Sequence, residues 1–318
     1  MNLDMQVPQP IQALSASANE HLPPTLRSPG AERPVEFFFS DQLSAFMDAE
    51  LKAMWLRWNP TPRPNFNPSL LQDLSRYCHF LAHSEGRIES NEGPLEFDYA
   101  VLASRVKGVF NLGGDLNLFM QLIESQDYAS LLNYGRACIN VLYRNYNSHG
   151  LPITTISLVQ GECLGGGFEA ALSSDVLIAE RSARFGFPEI MFNLFPGMGA
   201  YSFLERKIGR RETESLITSG KTYSADDMLS LGVVDIIADD GKGEGEVATY
   251  IQSRRRSRNG LVGVAAARRC VHKLEYDELN NVVESWVDTA LRLSPRDLKL
   301  MKRIVSRQNE LPARGELH

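Results

Sequence analysis

Two glutamates and two glycine turns are the residues of this chain best suited to chemistry. Gly165, Gly166 and Gly167 join the apolar run ITTISLV (153–159) to a helical pattern that contains Glu169 in its first turn. Glycines at such a junction let backbone N–H groups approach a ligand closely, and a helix N-terminus adds partial positive charge. That suits an oxygen that becomes negative during a reaction. A second turn, Leu112-Gly113-Gly114-Asp115, has the same layout, after an apolar strand and before a helix. One N–H from each turn makes two donors, and two donors make an oxyanion hole. Each feature alone has an ordinary reading. Glycines also allow tight packing of strand on helix, and Asp115 is a helix N-cap whatever the function.

Glu189 lies 20 residues beyond Glu169, after a strand and the segment ARFGFPEI. A strand and return loop of that length can bring the second carboxylate back beside the first. Apolar residues flank both: Phe168, Ala170, Ile190 and Met191. A carboxyl in apolar surroundings, or beside another carboxylate, has a raised pKa. General acid–base catalysis near neutral pH needs that. A single glutamate would read as a cap or a salt-bridge partner; the joint pattern points to proton transfer.

The elements that must position these groups alternate along the chain. VEFFF (35–39) and LKAMWLRW (51–58) read as strands, and Pro60, Pro62 and Pro64 then stop regular structure. Residues 68–83 read as an amphipathic helix with Pro68 in its first turn. Residues 84–97 read as a polar loop, 99–103 as a strand, and 127–147 as a long helix after another that starts at Leu116. VLIAE (176–180) is the next strand. From about residue 198 the pattern is mostly helical, with a short strand at Val233–Ile237. Alternating strands and helices imply right-handed crossovers and a mainly parallel sheet.

Composition narrows the classes. The net charge of −6 argues against general nucleic-acid binding, which depends on basic surface. Cys78, Cys138, Cys163 and Cys270 form no CxxC pair and match no zinc pattern, which fits reduced thiols. Cys163 beside the glycine triplet reads as a packed thiol. No apolar run reaches the ~20 residues of a membrane helix, and the opening residues lack the features of a signal peptide. A cytoplasmic location without membrane insertion is the expectation. Residues 1–33, with five prolines, read as a mobile tail. The run Arg254-Arg255-Arg256-Ser257-Arg258 reads first as a solvated helix face, and secondly as a surface for an acidic carrier protein.

The stretch QGECLGGGFEAALSSDVLIAERSARFGFPEI resembles the signature of the crotonase (enoyl-CoA hydratase/isomerase) superfamily. FNLGGDL resembles the first oxyanion segment of that family, and FPGMGAYSFLERKIGRRETESLITSGKTYSADDMLSLGVVDII continues the similarity. It covers roughly residues 98–240, and more weakly back to residue 50. The resemblance implies an α/β fold: a ββα spiral over residues 34–240 and a helical C-terminal trimerisation region over 241–318. It implies oxyanion donors at Gly114 and Gly166 and acid–base glutamates at Glu169 and Glu189. Gly113, Leu164, Gly165, Met198 and Trp286 are the expected substrate contacts. No metal or other cofactor is implied.

The chain departs from many CoA-using members, which carry Lys or Arg shortly after the oxyanion-loop aspartate. Here Leu116, Asn117 and Leu118 follow Asp115. The WLRWNPTPRPNFNPSLLQDL segment and the FNLGGDLNLF loop resemble the bacterial diffusible signal factor synthases. Those enzymes dehydrate 3-hydroxyacyl chains on acyl carrier protein to cis-2-enoyl thioesters and hydrolyse them to free fatty-acid signals. The resemblance implies an acyl carrier protein or CoA thioester as substrate, a homotrimer or dimer of trimers, and in some members a sensor-kinase partner. A conventional enoyl-CoA hydratase or isomerase, and a non-catalytic binding protein on the same scaffold, are the rival readings.

Overall fold

The computed structural model describes residues 25–27, 35–90 and 93–310. The expected mobile tail lies outside the described residues except for the strand β1 (Thr25–Arg27), which pairs antiparallel with the next strand and is a first correction. There follow β2 (Val35–Ser40), β3 (Leu43–Asp48), β4 (Ala53–Trp58) and α1 (Pro68–Ser84). The N-cap of α1 is Asn67, whose side chain accepts from Leu70 N, and Pro68 fills the first turn where no N–H is needed. The stretch read as a polar loop is a hairpin instead, β5 (Arg87–Ser90) with β6 (Gly93–Glu96). Its charged side chains hid the alternation: only Ile88 is buried in the first of these strands.

Three turns of a spiral come next. β7 (Tyr99–Ser104) leads to β8 (Val109–Asn111), then α2 (Leu116–Glu124) and α3 (Tyr128–Tyr146). β9 (Thr154–Val159) leads to β10 (Glu162–Leu164) and α4 (Gly166–Leu172). β11 (Val176–Glu180) leads to β12 (Arg184–Gly186) and a short 3-10 turn at Glu189–Phe192. In each turn the first strand joins a large sheet and the second joins a small one. The large sheet has the order β1-β2-β3-β4-β7-β9-β11, parallel from β4 onward. The small sheet runs β8-β10-β12 in parallel. This is the mixed α/β ββα spiral. The short second strands escape a reading by periodicity, because three residues carry too little pattern.

The chain continues with α5 (Ala200–Ile208), α6 (Arg210–Ser219), β13 (Thr222–Ser224), α7 (Ala225–Ser230) and β14 (Ile236–Ala238). β13 adds to β12, and β14 closes the large sheet beside β11, three residues later than the sequence suggests. Four helices end the described chain: α8 (Gly243–Arg254), α9 (Arg258–Val271), α10 (Tyr276–Ala290) and α11 (Pro295–Glu310). The main core lies between the sheets and α1, α3, α4 and α10, and includes Trp58, Phe168 and Trp286. A smaller cluster on the opposite face joins Tyr99, Ile156 and Ile178 to Val247 and Ile251 of α8. α9 buries no residue. Among its anchors are Arg268 and Arg269 on Asp175, just before β11.

Candidate active site

Glu169 stands in the first turn of α4 and is 1% exposed. Its Oε1 accepts from Met198 N at 2.8 Å and from Ala200 N at 3.0 Å. Both donors come from the turn PGMGA, where Gly199 has φ of +123° and lets the two N–H groups converge. Burial raises the pKa of Glu169 to about 7, against these two bonds, which lower it.

Glu189 opens the 3-10 turn after β12. The residue is half-buried overall, but Oε2 is enclosed and has no hydrogen-bond partner among the described residues. Burial first, then the Glu169 charge, raises its pKa to about 8. Gly165 gives Glu189 its place. A Cβ on Gly165 would lie 2.5 Å from Glu189 Oε1, and φ of +50° also disfavours a side chain there. Each carboxyl thus resists ionisation, and the pair holds about one proton near neutrality.

The two glycine turns meet. A Cβ on Gly113 would lie 2.8 Å from Gly166 N, and one on Gly166 would lie 3.5 Å from Gly114 N. The peptide plane aims each donor. Gly113 C=O accepts from Phe66 N at 2.8 Å, so the N–H of the same peptide, on Gly114, points the opposite way. Gly165 C=O accepts from Phe168 N and Glu169 N inside α4, so the Gly166 N–H points away from that helix. Among the described residues the Gly114 N–H finds no acceptor.

Gly114, Gly166, Glu169 and Glu189 all line one cavity of about 80 Å³, several times the room that a water needs. Faces of three helices supply much of its wall, beside residues of β4, β7, α2 and α10. α3 contributes Tyr134, Cys138, Val141, Leu142 and Asn145. At a rise of ~1.5 Å per residue, that face is about 16 Å long. α4 contributes Gly166, Glu169, Ala170 and Ser173, about 10 Å. The two faces meet where Asn145 Nδ2 donates to Ser173 Oγ at 2.9 Å. α1 adds Leu71, Leu74, Tyr77 and Cys78. The cavity therefore runs from the glycine notch to an apolar far end.

Met198 and Trp286, two of the proposed substrate contacts, line the cavity. Trp286 reaches it past Gly197, where a Cβ would sit 2.3 Å from the indole. Leu164 does not line it, which corrects the sequence expectation. As the last residue of β10, Leu164 turns its backbone carbonyl toward Gly113, and its side chain falls outside the lining. Gly113 and Gly165 also stay outside the lining; they shape the notch from behind. Cys163 is fully buried and its thiol pKa is pushed well up by burial, so it is a packed thiol.

Several cavity residues had no signal in the sequence. His149 lines the far end, and its Nδ1 is enclosed without a partner among the described residues. Burial, helped by Arg144, lowers its pKa to about 3, so the ring is neutral and the far end uncharged. Nothing but the fold brings Tyr77, Asn145 and His149 to the same space as Glu169. A cation also stands where the sequence after Asp115 shows none: with its amide oriented to suit, Asn117 Oδ1 accepts from Arg63 Nη2 at 3.2 Å. The basic run is not uniformly solvated. Arg258 pairs with Asp98 at 2.8 Å and donates to Pro152 O, and Arg254 packs over the Tyr250 ring at 4.0 Å.

The ββα spiral with its central sheet and flanking helices is the crotonase-like fold. The chain belongs to the enoyl-CoA hydratase/isomerase family: the profile described as Enoyl-CoA hydratase/isomerase matches residues 89–269. Among solved structures it is similar to an enoyl-CoA hydratase from Bacillus halodurans, at 19% identity and a TM-score of 0.68, over 83% of this chain and 100% of that one. Human mitochondrial delta3-delta2-enoyl-CoA isomerase is similar at 19% identity and 0.67, over 85% and 99%. DspI of Pseudomonas aeruginosa is similar at 19% identity and 0.58, over 75% and 91%. Among the described residues no helix is long and apolar enough to cross a membrane.

Proposed function

We propose that this protein is a diffusible signal factor synthase: it dehydrates a medium-chain 3-hydroxyacyl thioester on acyl carrier protein to the cis-2-enoyl thioester, then hydrolyses the thioester to release the free acid. The observation that carries the reading is the single cavity shared by Glu169, Glu189, Gly114 and Gly166. The thioester oxygen sits between the two N–H groups, which makes the α-proton acidic. The ionised glutamate removes that proton, the C2=C3 double bond forms, and the protonated glutamate donates to the departing 3-hydroxyl, which leaves as water. In the second step a glutamate takes a proton from the attacking water, the notch holds the tetrahedral oxyanion, and the C–S bond breaks as that proton passes to the departing carrier thiol. An oxyanion donor supplies about 3–4 kcal/mol, and acid–base help about 10²–10⁴-fold.

The cavity walls support a medium chain. A zigzag carbon chain advances about 1.25 Å per carbon, from ~1.5 Å bonds and ~111° angles. Walls of about 10–16 Å then suit roughly 8–13 carbons. Sequence similarity to the synthases in the FNLGGDLNLF loop supports the carrier-protein substrate. A conventional acyl-CoA hydratase is the second reading, favoured by the Arg63 cation beside Asn117. A homotrimer or dimer of trimers fits both readings, and acyl carrier protein and a sensor kinase as partners belong to the first.

Mass spectrometry of products formed from matched 3-hydroxyacyl carrier-protein and CoA substrates separates the two. Free cis-2-enoic acid from the carrier-protein substrate is the result expected. Reversible hydration of enoyl-CoA with no free acid would replace the first reading by the second.

A further inference from the structure

We infer that Tyr134 is a positioning residue for the oxyanion notch: its hydroxyl holds both flanks of Gly114 and so fixes the direction of the Gly114 N–H. The inference rests on the notch reading above and deepens it.

An oxyanion donor works only if it is aimed before the charge develops, to within about 0.5 Å. The Gly166 donor is fixed by a helix and a strand, since Gly165 C=O bonds into α4 and Gly165 N donates to Gly186 O at 2.9 Å. The Gly114 donor lies between elements, tied to the fold by a single parallel β-bridge to Phe66, and the rest of its alignment has to come from elsewhere. Leu112 N donates to Pro64 O at 2.8 Å, and Gly113 N donates to Asn111 Oδ1 at 2.8 Å. These hold the entry to the turn. Beyond them stands Tyr134.

Tyr134 is 4% exposed, projects from the middle of α3, and lines the cavity. Its Oη donates to Phe66 C=O at 2.6 Å and accepts from Asp115 N at 3.3 Å. Phe66 N in turn donates to Gly113 C=O, the other end of the peptide that carries the Gly114 N–H. One hydroxyl therefore acts on that peptide from two sides, through Phe66 before it and through Asp115 after it. The Tyr134 ring is itself held edge-on against Phe119, with centroids 4.9 Å apart. A Cβ on Gly114 would lie 3.5 Å from Oη, so hydroxyl and donor are near neighbours. A phenol at this point also explains why the Phe66 carbonyl stays satisfied in an apolar wall.

The test is Tyr134→Phe, which keeps the ring and removes the bridge. Two readouts go together: kcat and KM for dehydration of a 3-hydroxyacyl thioester, and the infrared carbonyl stretch of a bound, unreactive acyl thioester. The expected result is a fall in kcat of about tenfold, a fraction of the 10²–10³ that loss of a whole donor costs. KM should change less than kcat, and the bound carbonyl band should move back toward its frequency in water. The band needs no turnover and a purely structural tyrosine would not move it in a protein that still binds substrate. If Tyr134→Phe does not fold, 3-fluorotyrosine at 134 keeps ring and hydroxyl but alters hydrogen-bond strength, and the band should still shift. An unchanged band and unchanged kcat in the folded variant would overturn the inference. A wild-type band that already equals the band in water would overturn the notch reading too, and so tells the two failures apart.

Discussion

The two ends of the cavity are built from different materials. At the notch the polar groups are mostly backbone: the N–H groups of Gly114 and Gly166, and those of Met198 and Ala200 that hold Glu169. At the far end the lining groups are side chains on helix faces, such as Leu74, Val141 and Leu142. A backbone donor keeps its place when neighbouring side chains change, whereas an apolar wall is defined by side-chain volume. On the proposed function, reaction and chain selection are thereby separable within one cavity, and substitutions at each end should fail in different ways.

The largest effect expected is on turnover. Glu169→Ala and Glu189→Ala should each lower kcat for dehydration by about 10²–10⁴-fold with the fold retained. A steady-state assay beside a circular dichroism spectrum checks this. Full dehydration by both variants would break the contrast at its root. At the other end, Trp286→Ala should destabilise the protein by about 3–5 kcal/mol, as expected for deleting a buried ring. Denaturant unfolding measures the loss, and the enlarged space should shift preference toward longer or branched chains while the dehydration chemistry survives.

Stability against pH sharpens the contrast further, because only the notch end carries titratable groups with pKa values raised to about 7 and 8 by burial. A carboxyl with a raised folded pKa binds its proton more tightly folded than unfolded. Its stabilising contribution is full below about 4.5, the ordinary value, and is lost as pH rises through about 7–8. Melting temperature should therefore fall between about pH 5 and pH 8, less steeply below about 6.5, where buried neutral His149 acts in the opposite direction. The double substitution Glu169→Gln with Glu189→Gln should flatten that fall, and an unchanged slope would mean that other groups cause it. The smallest effect is expected far from the cavity. Lys52 and Glu96 pair at 3.4 Å with both side chains more than half exposed. Glu96→Gln should change unfolding free energy by less than about 1 kcal/mol.

What could be read before folding followed from period and from residue type. β9 announces itself as a β-branched run because a strand buried on both faces needs apolar residues throughout. α1 and α3 show helical spacing over 17 and 19 residues, long enough for the period to register. β8, β10 and β12 have three residues each and no readable period, though they place the notch between two sheets. β5 and β6 read as loop because exposed polar residues outnumber buried ones there. At the site, Glu169, Glu189, Gly114 and Gly166 stand out in the sequence by type and local turn, and the structure brings all four to one cavity. Leu164 was misplaced, since which way a three-residue strand turns its side chains depends on its neighbours.

By itself the sequence determined the candidate acid–base groups, the helix and strand periods, and the membership that those motifs carry. Tertiary structure alone decided that the PGMGA turn would hold Glu169, that Glu189 would be left with an unpartnered oxygen, and that Tyr134 would reach Phe66 from 68 residues away. The physical reason is that hydrogen bonds and desolvation act over a few ångströms of space. Distance along the chain says nothing of those ångströms until the sheets have closed.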